Sequence, residues 1–199
     1  MPATHDYLKQ IDSLDFRHNT RQLLLSYLLR VIGVVVFGWL FLIITKGITG
    51  NDTLVLNSLV DISIQSFPAI GSILLIALDV ICVLYLHELV HAAVVFVTHR
   101  QKPHIGMRGF VIFAAAPDKV LTKTQFIVNA MAPFTVISLI GILFIFYLPL
   151  YTLSWVFIPT VVNAAAAGGD FMAVIWALKQ PKNAKFIDYG DITNAYTEK

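Results

Sequence analysis

The sequence has little charge and almost no cysteine. Asp, Glu, Lys and Arg make up 13% of its 199 residues, about half the share of an ordinary soluble domain. The single cysteine, Cys82, lies in an apolar run, which excludes a disulfide framework and a thiolate zinc cluster. A formal net charge of +2 is too small to point to nucleic acid. No short apolar run with a small-residue cleavage site follows the polar stretch Met1–Thr20, so a cleaved signal peptide is not expected. There is no internal repeat and no low-complexity segment. What fills the chain is apolar: 57% of residues are hydrophobic and the mean hydropathy is +0.76. These values predict an integral membrane protein with one domain over residues 1–199.

Four apolar stretches have the length of a membrane span. They cover about 27–46, 70–97, 125–147 and 152–178. Arg30 is expected to snorkel from the first span to the head groups. Residues 5–29 mix charge with Tyr7, Leu8, Ile11 and Leu14, which reads as an amphipathic helix on the membrane face. Leu54, Val55, Leu59, Val60 and Ile64 suggest a second interfacial helix. The loop 98–124 is basic, and within it Phe110–Ala115 has the composition of a short β-like segment. The tail from Lys179 is polar and is expected to run extended along the surface. The fold class is therefore an all-α membrane protein. Lys and Arg are abundant before the first span, in the second loop and in the tail, and scarce in the other two loops. That alternation predicts a multi-pass protein of the cell membrane with both termini in the cytoplasm.

The second span contains His87-Glu88-Leu89-Val90-His91. Residues four apart on a helix leave the same face one turn apart. The spacing suits two ligands of one tetrahedral zinc, with Glu88 on the adjacent flank, in reach of a water at the metal. Two histidines and a glutamate within a hydrocarbon span have no cheap structural reason to exist.

A third ligand is required. His99, His104 and Asp118 are available in the second loop, and Asp170 in the fourth span. Under the predicted topology the second and fourth spans run in the same direction, which puts Asp170 within about a helical turn of the depth of His87 and His91. Gly168 and Gly169 just before it either open the helix locally or form a packing face. Asn163 is placed to hydrogen-bond Asp79 or to donate to a substrate oxyanion, and Asn129 to donate likewise.

His87-Glu88-Leu89-Val90-His91-Ala92, Ala132-Pro133, and Asn163 through Gly168-Gly169-Asp170 resemble the small bacterial membrane proteins of the putative zincin peptidase family. The same order is similar to the intramembrane site-two metalloproteases. In that group, however, the ligand aspartate follows leucine and precedes glycine, whereas Asp170 follows Gly169 and precedes Phe171. The resemblance implies His87, His91 and Asp170 as ligands of Zn2+, Glu88 as general base, and cleavage of membrane-associated peptides.

The expected function is thus a membrane-embedded zinc metallopeptidase whose partners are the bilayer and a membrane protein or peptide substrate. Zinc would acidify a water and Glu88 would move its proton to the leaving amine. Phe110 and Ile112 are candidates for strand pairing with the substrate, and Asn129 and Asn163 for contacting it. Two alternatives are a zinc hydrolase of lipid amides or esters and a metal-binding transporter or regulator without hydrolysis.

Overall fold

The computed structural model describes residues 7–50, 69–99, 104–108 and 111–199. Among them, four helices are long and apolar enough to cross a membrane. Helix α1 is Thr20–Thr49, α2 is Ala69–His99 and α3 is Lys123–Tyr147. The fourth is broken. A 3-10 turn at Leu150–Thr152 leads into α4, Leu153–Ala166, and α5 follows as Gly168–Lys179. The expected spans lie within these helices. The expected interfacial helix around Leu54–Ile64 falls outside the described residues.

The all-α expectation is corrected. Four strands form one antiparallel run: β1 (Leu8–Asp15), β5 (Ile192–Glu198), β4 (Lys185–Asp188) and β3 (Val111–Thr122). Strand β2 (His104–Arg108) adds to β3 as a hairpin, giving the order β1-β5-β4-β3-β2. The β-like segment was thus part of a longer strand; Phe110 itself lies outside the described residues.

The amphipathic helix expected from residue 5 is also corrected. Leu8, Ile11 and Leu14 imitate helical spacing, but the segment pairs with β5. A bulge between Gln10 and Asp12 leaves Ile11 39% exposed, while Leu8 and Leu14 are buried. Polar residues stop the strand and start the helix. Asp15 Oδ1 accepts from the backbone N–H groups of Arg17 and His18, and Asn19 Oδ1 accepts from those of Arg21 and Gln22. Asn19 is therefore the N-cap of α1, which fixes its start at Thr20. The polar tail does not run loose along the surface, because it supplies β4 and β5. Pairing of β1 with β5 puts both ends of the described chain in one sheet.

The chain forms two compact units. One comprises Met1–Leu29, Glu88–Pro133 and Gly168–Lys199. Its core joins sheet to helix: Leu121, Phe126, Ala177, Ala184, Phe186 and Ala195 are buried together. Phe186 stacks on Phe126 at 4.7 Å between ring centroids, and Trp176 meets Phe186 edge-on. Burying an aromatic ring such as Phe186 contributes about 2–3 kcal/mol. Thr122 and Gln125 form a capping box at the start of α3, each accepting from the other's backbone N–H. Lys123 Nζ donates to the carbonyls of Leu178 and Gln180 and so caps the end of α5. The start of α3 and the end of α5 are thereby held together.

The second unit comprises Arg30–His87 and Phe134–Ala167. Phe41, Val161 and Ala164 form its main cluster, with Phe37, Phe134 and Phe157 packed against it. Small residues let its helices approach closely. A Cβ on Gly33 would stand 3.2 Å from Ala165 Cα, and one on Gly141 would overlap the Thr160 side chain.

Candidate metal centre

Helix α2 runs without a break through His87 and His91, so their separation of one turn is set by the helix itself. Both are buried, at 4% and 8% exposure. Each ring is oriented through Nδ1. His91 Nδ1 donates to the backbone carbonyl of Asn129 at 3.0 Å. His87 Nδ1 donates to Asn163 Oδ1 at 2.9 Å. A neutral imidazole that donates from Nδ1 keeps its Nε2 lone pair for a metal. An Nδ1 held in this way leaves Nε2 as the ring nitrogen that can face a metal.

Asp170 reaches the site because the fourth span breaks. At Ala167 the backbone leaves helical geometry, with ψ near 1°. A new helix begins at Gly168 and carries Asp170 in its first turn. The positive end of that helix favours a carboxylate there. Asp170 Oδ1 stands 3.5 Å from His91 Nε2. The ligand atoms of His87, His91 and Asp170 all lie within 4.8 Å of one another. Tetrahedral zinc with bonds near 2.0–2.1 Å separates its ligands by about 3.3 Å. The donor set, two imidazoles and a carboxylate converging to within 4.8 Å, can hold a metal ion once the side chains close in.

Glu88 is partly buried and close enough for its charge to act on His91. Its place on the flank of the helix, not on the His87–His91 face, suits a group that handles protons beside the metal.

The two asparagines each hold one histidine. Asn163 is fully buried and bonds His87, not Asp79. Asp79 Oδ2 is buried with no hydrogen-bond partner among the described residues. The main chain of Asn129 holds His91, while its side-chain Oδ1 is buried without a partner among the described residues. Ile112 lies in β3 opposite Met107 of β2. Of the other candidate ligands, His99 ends α2 and His104 and Asp118 lie on β2 and β3, and their side chains are outside the described set.

Sequence reasoning missed Asp188, at the end of β4. Its Oδ1 accepts from the Gly190 N–H at 2.9 Å and the Thr193 hydroxyl at 3.2 Å. The charges of His91 and Asp170 act on it. The only signal in the sequence was an Asp in a tail that had been read as surface.

The family model described as putative zincin peptidase matches residues 80–185. The matched segment includes His87, Glu88, His91 and Asp170. No curated protein and no solved structure gives a match.

Proposed function

The chain belongs to the putative zincin peptidase family, and on that premise we propose that it is a membrane-embedded zinc metallopeptidase acting on membrane-associated peptides. The observation that carries the reading is the pair of Nδ1 hydrogen bonds. They turn two buried imidazoles of one helix face so that the ligand atoms of His87, His91 and Asp170 gather within 4.8 Å. Orienting the rings through Nδ1 is what supporting groups do for metal-binding histidines.

His87, His91 and Asp170 would hold zinc, which supplies a Lewis acid and an acidified water. Glu88, on the flank of the same helix, would accept a proton beside the metal and deliver it to the leaving amine. The positive end of α5 favours the Asp170 carboxylate at that position. Strand β2 ends the sheet, so an unwound substrate segment has an edge to pair with there. This moves the expected pairing from Phe110 and Ile112 to the outer edge of His104–Arg108. The positive second loop and tail support a cytoplasmic placement for the sheet and both termini.

The test is Glu88→Gln in purified, zinc-loaded protein offered a pool of membrane peptides and a pool of lipid amides and esters. Peptide cleavage by the wild type, lost in the variant with zinc content unchanged, supports the reading. Cleavage only of lipids moves the substrate class. Unchanged function of the variant removes hydrolysis.

A further inference from the structure

The bulge in β1 turns a carboxylate inward. Gln10 pairs with Tyr196, but Ala195 is met by Asp12 and not by Ile11. Without the extra residue Ile11 would stand opposite Ala195, and Asp12 would face the other way. Ala195 pairs in turn with Phe186, and Phe186 with Leu121. Directly paired residues share a face, so Asp12, Ala195, Phe186 and Leu121 form one row across the sheet. The last three pack against Phe126, Trp176 and Ala177. Asp12 is the polar end of that row.

This carboxylate grips one end of α5. Its Oδ2 accepts from Trp176 Nε1 at 2.8 Å and from Gln180 Nε2 at 2.7 Å, and its Oδ1 accepts from the Ser13 N–H at 2.8 Å. Hydrogen bonds to an ionised acceptor are stronger than neutral ones. The indole has a single N–H. Giving it to Asp12 fixes the ring while its face stays edge-on to Phe186. Lys123 holds the same end of the helix through the carbonyls of Leu178 and Gln180.

Asp170 lies in the first turn of the same helix, about 9 Å along the axis from Trp176. Helix α5 is short, and the break at Ala167 separates it from the axis of α4. A shift or tilt imposed at its last turn is therefore carried to Asp170. Metal ligands tolerate only about 0.2 Å of misplacement, and Asp170 Oδ1 stands 3.5 Å from His91 Nε2. Strand β1, helix α5, His91 and Asp170 all belong to one compact unit.

We propose that Asp12 is a positioning residue of the metal centre: through Trp176 and Gln180 it fixes the axis of α5, and so the place of Asp170 beside His91. The proposal rests on the zinc peptidase reading. Asp12 lies outside the segment that the family model matches, so this support comes from the N-terminal strand and not from the matched core.

Zinc affinity is measured by competitive titration in detergent. The visible spectrum of cobalt-loaded protein reads the ligand geometry. Asp12→Ala should weaken zinc binding about tenfold, the lower end of the loss for a group that supports a metal ligand. It should also change the cobalt spectrum. Asp12→Asn keeps an acceptor oxygen and should bind zinc within about threefold of wild type. Trp176→Phe removes the N–H but keeps a ring against Phe186, and should shift affinity and spectrum in the same direction as Asp12→Ala. Asn19→Ala removes the cap of α1 in the same unit. It should lower Tm and leave zinc affinity within about twofold. Thermal unfolding with and without zinc adds a second reading. Asp12→Ala should lower Tm more in the zinc-loaded protein, because the stabilisation by zinc falls with affinity.

Wild-type zinc affinity and cobalt spectrum in a folded Asp12→Ala overturn the proposal, whatever the change in Tm. Equal weakening of zinc binding by Asn19→Ala also overturns it. If Asp12→Ala does not fold, Trp176→Phe decides by the same readings. A wild type that takes up neither zinc nor cobalt removes the zinc reading itself. That outcome differs from tight metal binding that the variants leave unchanged.

Discussion

His87 and Asn163 are joined by a buried hydrogen bond of 2.9 Å between Nδ1 and Oδ1. One residue comes from the His87-to-His91 motif and the other from the fourth span. The bond sets the tautomer of His87 and turns its Nε2 away from Asn163. Asn163 has no exposed surface, so its amide serves the histidine. Asn163→Leu should reduce zinc affinity by about 10–100-fold, the usual cost of removing the group that orients a metal-bound histidine. Asn163→Asp, which keeps the acceptor, should stay near wild type. A competitive zinc titration checks both, and equal affinity in the Leu variant and wild type would remove this role.

Asp170 supplies the third ligand in the proposed centre. Wild type should carry about one zinc per chain, and Asp170→Ala should carry little after dialysis at the same free zinc. Metal analysis by mass spectrometry checks this. Full zinc retention by the variant would sink the three-ligand site.

Gly141 and Thr160 bring α3 and α4 together in the second unit. A Cβ at residue 141 would lie 3.0 Å from Thr160 Cβ and closer still to its hydroxyl. Gly141→Ala should destabilise by about 1–3 kcal/mol. Thr160→Ala in the same chain should restore much of the loss, because it removes the clashing atoms. Thermal unfolding of the single and double variants in detergent gives the coupling. A full loss that persists in the double variant would place the strain elsewhere.

Asp188 lies outside the spans, and its titration bears on stability. Burial pushes its carboxyl up to about 6. Hydrogen bonds from Gly190 and Thr193 and the charge of His91 oppose that shift, and Asp170 adds to it. The unfolded value is near 3.8. Between these values the folded state holds more protons than the unfolded one. Asp188 therefore costs the fold nothing below about pH 4, and stability is lost as pH rises through about 6. In zinc-free protein, the Tm of wild type relative to Asp188→Asn should fall from pH 4 to pH 7. Parallel profiles would show that the carboxyl is not raised.

Hydrophobic run length fixed the four membrane-length helices from the sequence, because each such helix satisfies its own backbone and needs only length and apolarity. The spacing of His87 and His91 was equally legible, since a helix carries it locally. Asp170 could be placed at the right depth by counting residues, but its aim depends on the break at Ala167. The sheet was not legible. Leu8, Ile11 and Leu14 carried a helical spacing by coincidence, and β1 exists only because β5 is there to pair with it. Lys185–Asp188 and Ile192–Glu198 looked like surface, because their inward positions gain value only against Phe126 and Trp176. Tertiary structure alone decided that Asn163 orients His87 and that the carbonyl of Asn129 orients His91. These are contacts between segments far apart in the chain. Local periodicity carries no information about them, and only packing brings the partners within hydrogen-bond or Coulomb range.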